Sequence, residues 1–109
     1  MAAEIDEVEW LEPWSAVVDD GLRAKLESEL VKEVGRGHVL FQRPTRALAR
    51  RCDQDDVLYA VGNPSQLAVV HLSYAAKPDQ PPWPSTTLFD NLLAFIDSRM
   101  KPDHDGYAV

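Results

Sequence analysis

TRALARRCDQDDVLYAVGNPSQLAVVHLSY, residues 45–74, reads as three β-strands divided by two short turns. Thr45 to Cys52, Val57 to Val61 and Leu67 to Tyr74 are rich in β-branched, aromatic and apolar residues, the composition that suits a pleated surface. The breakers are Asp53-Gln54-Asp55-Asp56 and Gly62-Asn63-Pro64-Ser65, clusters whose residues favour turns. Connections this short join antiparallel neighbours, so the stretch predicts a meander. The run Leu67, Ala68, Val69, Val70, Leu72 is apolar on both faces, which places it inside the sheet. His38 to Gln42, ending at Arg43-Pro44, adds a fourth strand upstream.

Working outward, Leu22, Leu26, Leu30 and Val34 recur every fourth residue and draw one apolar stripe on a helix. Asp19 or Asp20 caps its start, because a short carboxylate accepts the free backbone N–H groups there. Gly35 and Gly37 end it. On the other side, Leu88, Leu92, Phe95, Ile96 and Met100 form the apolar face of a second helix, with Thr87 and Asp90 as a capping pair and Pro102 as its stop. Residues 103–109 read as a mobile tail. The expected fold is therefore one α+β domain over residues 1–109. It is a four-stranded antiparallel meander with two amphipathic helices packed on one face, in the order α-β-β-β-β-α, preceded by an acidic leader over residues 1–18.

A chain of 109 residues supports one core. The net charge of -7 is unevenly spread. Glu4, Asp6, Glu7, Glu9, Glu12, Asp19 and Asp20 carry all of it within the first twenty residues, where there is no base. Between Val34 and Cys52 there is no acid, while Arg36, Arg43, Arg46, Arg50 and Arg51 stand there. Charge-driven nucleic-acid binding needs many cations facing phosphate, so this balance argues against it. The single cysteine excludes an intrachain disulfide framework. The acidic N-terminus does not resemble a secretory signal, and no apolar run is long enough to span a bilayer, so the expectation is a cytoplasmic protein without membrane partners.

On a regular strand Arg46, Leu48 and Arg50 share a face, and Ala47, Ala49 and Arg51 the other. With the alanines under the helices, Arg46 and Arg50 stand on an open sheet face with Arg43 near the hairpin. There they form a patch for an anion, or a sheet surface neutralised by the leader. Trp10 and Trp14 mark the leader as a segment that docks on its own sheet, on a partner protein, or on a second copy in an exchanged homodimer. The proline-rich loop around Trp83 offers an extended ligand for an aromatic groove, or a plug for one end of the core.

Asp53, Asp55 and Asp56 supply only part of the oxygen shell that a hard cation needs. His38 and His71 sit on expected strands and, with one Asp, make an open three-ligand set, but no HxH or HExxH spacing supports a metal. Cys52 follows Arg50-Arg51, whose charge favours a thiolate, yet no base is placed beside it. No catalytic residue, metal or cofactor is assigned.

Asp55-Asp56-Val57-Leu58-Tyr59, Val69-Val70-His71-Leu72-Ser73-Tyr74, Trp83-Pro84-x-Thr86 and Arg99-Met100-Lys101-Pro102-Asp103-His104 together resemble a family of small uncharacterised bacterial proteins of about this length. The resemblance covers essentially the whole chain and implies a bacterial, cytoplasmic origin. It implies no activity. In that pattern Thr-Trp often stands where this chain has Ser73-Tyr74, so the aromatic character is kept and the indole is not.

These observations point to a non-enzymatic interaction domain first. A small acidic inhibitor of immunity-protein or antitoxin type, covering a basic target, comes second. A small-ligand or metal-dependent enzyme built on His38, His71, Asp55, Asp56 and Trp83 comes third.

Overall fold

The computed structural model describes residues 8–62, 65–78, 80 and 83–107. Its centre is a five-stranded antiparallel sheet in simple sequential order. The strands are β1 (Trp14–Ala16), β2 (Thr45–Arg51), β3 (Asp56–Val61), β4 (Gln66–His71) and β5 (Thr86–Phe89). Helix α1 (Asp20–Glu33) follows β1. Helix α2 is built from the consecutive segments Leu92–Phe95, Ile96–Met100 and Lys101–Tyr107, the middle one π-helical.

The α+β class and the antiparallel meander agree with the sequence. The strand count and the layering differ. The helices lie on opposite faces. Leu26, Leu30 and Val34 of the α1 stripe pack with Ala47, Val57, Tyr59, Val61, Ala68, Val70 and Leu72. Phe95 and Met100 of α2 pack with Trp14, Leu48, Ala49, Leu58, Leu67 and Val69. The reason is in β3 and β4, where alternate residues on both sides are apolar and buried. A sheet with two apolar faces needs a layer on each. No open arginine face is left.

Two expected elements change type. His38 to Gln42 is a turn region and not a strand, closed by His38 N–H to Gly35 O and Phe41 N–H to His38 O. Gln42 adopts a left-handed φ of 60° where the chain redirects into β2. Thr86 to Phe89, where Thr87 and Leu88 are the expected start of the second helix, pairs with β4 as an edge strand. The helix instead starts after Asn91, whose side-chain carbonyl accepts Ala94 N–H at 2.8 Å. Val69 and Val70 present unpaired ladder groups that Thr86 and Thr87 satisfy, so tertiary pairing overrides the local capping signal.

Pro102 does not stop α2. The helix runs through it to Tyr107, so Asp103 to Tyr107 is ordered helix and not a mobile tail. The wide π turns just before Pro102 supply the relaxation that its missing N–H and bulky ring require. At the other end, the leader is partly structural. Trp14 is 1% exposed, and β1 pairs with β2 through Trp14 with Arg51 and Ala16 with Ala49. Glu4, Asp6 and Glu7 lie outside the described residues.

Candidate functional site

Functional side chains gather at the sheet end where β2 and β4 finish and β3 begins. Asp56, 4% exposed, is the hub. Its Oδ1 takes the Nδ1 of His71 at 2.7 Å. Its Oδ2 accepts from Arg99 Nη2 at 2.7 Å and from Gln54 Nε2. A carboxylate only accepts, so Nδ1 of His71 carries a proton, on a side chain that is 56% exposed.

One turn further along α2, Asp103 Oδ2 collects Trp14 Nε1 at 2.8 Å, Arg99 Nε at 2.9 Å and Arg51 Nη1 at 3.2 Å. Arg51 also grips Asp53 with Nε at 2.9 Å and Nη2 at 2.8 Å. That fork raises the Arg51 guanidinium above its ordinary value and lowers the Asp53 carboxyl, in both cases first through their shared hydrogen bond. Two guanidiniums thus face three carboxylates in one chain of bonds that ties α2 to β1, β2 and β3. The arrangement is a polar clasp, and His71 is its outer member.

On the opposite face, the glutamates of α1 are used as backbone latches. Glu27 Oε2 accepts Ala47 N–H at 2.9 Å beside the β2 irregularity. Glu33, 0% exposed, accepts Ser73 and Tyr74 N–H at 2.8 Å each, and Glu29 accepts Ala76 N–H at 3.1 Å. Tyr74 and Ala76 have φ of 57° and 58°, so the latched segment turns its amides toward the helix through left-handed residues. Burial raises the Glu33 carboxyl above its ordinary value, and its hydrogen bond with Glu29 raises it further.

The candidate arginines are separated. The register of β2 against β3 slips between Ala47 and Ala49. Arg46 pairs with Ala60 on the α2 side and Arg50 with Val57 on the α1 side. A bulge inserts one residue and reverses the alternation, which a period-two reading cannot anticipate. Arg43 does reach the β3–β4 hairpin, through Gly62 O at 3.0 Å and Gln66 Oε1 at 3.0 Å. Nor does the described part of the leader neutralise the strand arginines. Asp19 caps α1 through Leu22 N–H at 2.7 Å, and Asp20 pairs with Arg23 at 2.8 Å.

His38 and His71 are not brought together. Leu40 N–H donates to His38 Nδ1 at 3.0 Å, so Nε2 carries the proton and donates to Pro84 O at 3.0 Å. His38 is a buried strut for the loop before β5, on the α1 side with Thr86. Trp83 is not a core plug. It is 55% exposed, while its neighbour Pro84 is buried. Cys52 is exposed, with Sγ 3.9 Å from Tyr107 Oη. Among the described residues no group of three or more His, Cys, Asp or Glu is placed to hold a metal.

Two open grooves flank these clasps. One, about 490 Å³, runs between the leader and α2 and is lined mainly by Val8, Leu11, Leu92, Leu93 and Ile96, with Glu9 on its wall. Leu93 is 65% exposed at its mouth. Trp10 packs against the same cluster, and Trp14 lies beneath it. The other, about 560 Å³, runs along α1. Sequence reasoning placed Trp10 and Trp14 on a docking segment but missed both grooves. Only the layering of the helices creates them.

No family model matches the chain, and no curated protein or solved structure matches it either. Among the described residues no helix is long and apolar enough to cross a membrane.

Proposed function

We propose that this chain is a non-enzymatic protein-interaction domain that seats a basic, apolar-faced helix of a partner protein between residues 8–11 and α2. The observation that carries the proposal is an apolar groove with an acidic wall. Its floor is aliphatic and Leu93 stands exposed at its mouth, the pattern that an amphipathic helix fills with residues spaced three and four apart.

Charge selects the occupant. Glu9 lines the groove, and among the described residues neither its carboxylate nor that of Glu12 has an ion-pair partner. Lys101, the cation on the groove, is already paired with Asp97 at 3.1 Å. A second copy brings another Glu9 to the same groove, and like charges brought together oppose it. A partner with lysines or arginines beside its apolar stripe gains from the same field in encounter rate and in register. An inhibitor of a basic target is one form of this chemistry.

The test uses a fluorescent synthetic helix of leucine and lysine, with a leucine–glutamate helix as control, titrated against the full chain and Leu93→Glu. The expected result is saturable binding of the lysine helix, weakened about tenfold or more by Leu93→Glu, consistent with loss of one buried anchor. The sign is diagnostic, because the substitution adds a negative charge. An association driven by charge alone strengthens, whereas a helix seated on Leu93 is lost. Equal binding of both peptides, or no loss in Leu93→Glu, overturns the proposal. So does sedimentation showing a dimer that Leu93→Glu dissociates.

A further inference from the structure

The α1 groove has the opposite charge. Leu22, Leu26 and the ring of Tyr74 give it an apolar lining, and Lys25, Lys32 and Arg50 stand along it with one acid, Glu29. Lys25 and Lys32 are seven residues apart, so they project on the same side of α1, about 10 Å apart along its axis. Arg50 reaches this side because the β2 irregularity turns it away from Arg46.

What sets this place apart is how α1 spends its carboxylates. Glu27, Glu29 and Glu33 each accept backbone N–H groups, at Ala47, at Ala76, and at Ser73 and Tyr74. Elsewhere, Arg23, Arg51, Arg99 and Lys101 are paired with aspartates. Among the described residues, Lys25, Lys32 and Arg50 have no ion-pair partner. Glu29 also lines the trough and keeps its charge, so three cations against one acid leave a local positive excess in a chain of net charge -7.

We infer that the groove along α1 is a binding site for a small amphiphilic anion, a medium-chain carboxylate whose chain lies on Leu22, Leu26 and Tyr74 and whose head group meets Arg50 and Lys32. The groove volume is in the range of small-ligand sites. A guanidinium offers a carboxylate two parallel hydrogen bonds, and an ammonium offers a point charge. The site is on the opposite sheet face from the proposed partner groove and stands or falls independently of it.

Decanoate, kept below its micelle concentration, is the probe. Backbone amide NMR shifts on the full chain locate it, and calorimetry measures it, with decanol and decyltrimethylammonium as controls. The expected result is saturable binding of decanoate with shifts at Leu22, Leu26, Arg50 and Tyr74, about tenfold weaker for decanol and absent for the cation. The double variant Arg50→Gln, Lys32→Gln is expected to lose binding about tenfold or more at unchanged melting temperature, since neither side chain bonds to the fold. Several results overturn the assignment: no saturation, equal affinity for the cationic amphiphile, shifts confined to the Leu93 groove, or undiminished binding by the double variant. Binding of a leucine–glutamate peptide where decanoate does not bind also overturns it, in favour of an acidic protein segment.

Discussion

Helices α1 and α2 cover the two faces of one sheet, but different chemistry fastens them. α1 reaches over with glutamates whose oxygens take backbone amides of β2 and of the segment after β4. α2 is held by side chains bonding to side chains, Arg99 and Asp103 to Asp56, Arg51 and Trp14. Trp14 also packs edge-on against Phe95, with ring centres 5.2 Å apart. The difference teaches where surface charge comes from. Carboxylates that accept backbone amides keep their charge but form no ion pair, so among the described residues Lys25, Lys32 and Arg50 stand beside them without an ion-pair partner. When charges pair with each other, as under α2, the clasp offers little net charge, and Glu9 and Glu12 have no ion-pair partner among the described residues.

The comparison breaks most visibly at Trp14. Its replacement by alanine removes a fully buried indole and the Asp103 bond, with an expected loss of about 3–5 kcal/mol in denaturant unfolding. A loss under about 1 kcal/mol means that the α2 face is not a core.

Next is the hub of the clasp. Asp56→Ala leaves Arg99 and His71 without their shared acceptor in a partly buried place, and an expected cost of about 2–4 kcal/mol follows. If the clasp is a unit, Arg99→Ala and Asp56→Ala combined cost clearly less than the sum of the singles.

A latch is expected to cost less and to carry a pH signature. Glu33→Gln leaves one of the Ser73 and Tyr74 amides without an oxygen acceptor, for an expected loss of about 1–2 kcal/mol. Because burial raises the Glu33 carboxyl, the native state keeps a proton that the unfolded chain has released just above the ordinary glutamate range. Native stability from this group therefore falls as pH rises through that window and levels off beyond the raised value. The gap between the parent chain and Glu33→Gln is expected to narrow with rising pH, measured by melting at stepped pH. A gap that widens means that the two backbone N–H bonds, which favour the charged carboxylate, outweigh its burial. Asp53 acts with the opposite sign. Its carboxyl is lowered by Arg51, so its contribution is present above the ordinary aspartate value and is lost as pH falls through the lowered one.

The smallest effects are expected at cations without an ion-pair partner among the described residues. Arg46→Ala and Arg50→Ala each change stability by no more than about 0.5 kcal/mol, since both side chains are exposed and outside the clasp. A larger loss at Arg46 points to a structural bond on the α2 side.

Chain order and residue type were enough for α1. The four-residue recurrence of Leu22, Leu26, Leu30 and Val34 with Asp19 at its cap is a local signal, and the helix spans Asp20–Glu33 as that signal requires. The breakers at 53–56 and 62–65 were legible for the same reason, and the strands on either side of each pair antiparallel. The apolar character of Val57 to Val61 and of Leu67 to Val70 on both strand faces was also present in the sequence, and it already implied a layer on each side. Local pattern could not decide that residues 86–89 join an edge strand, because the same Thr87 and Asp90 also suit a helix start. It could not decide that Arg46 and Arg50 part company either, since a one-residue slip between neighbouring strands leaves no mark in either strand alone. Nor could it bring Asp56, His71, Arg99 and Asp103 into one chain of bonds. Those contacts join residues up to 43 positions apart, and only the packing of α2 across the sheet sets their distances.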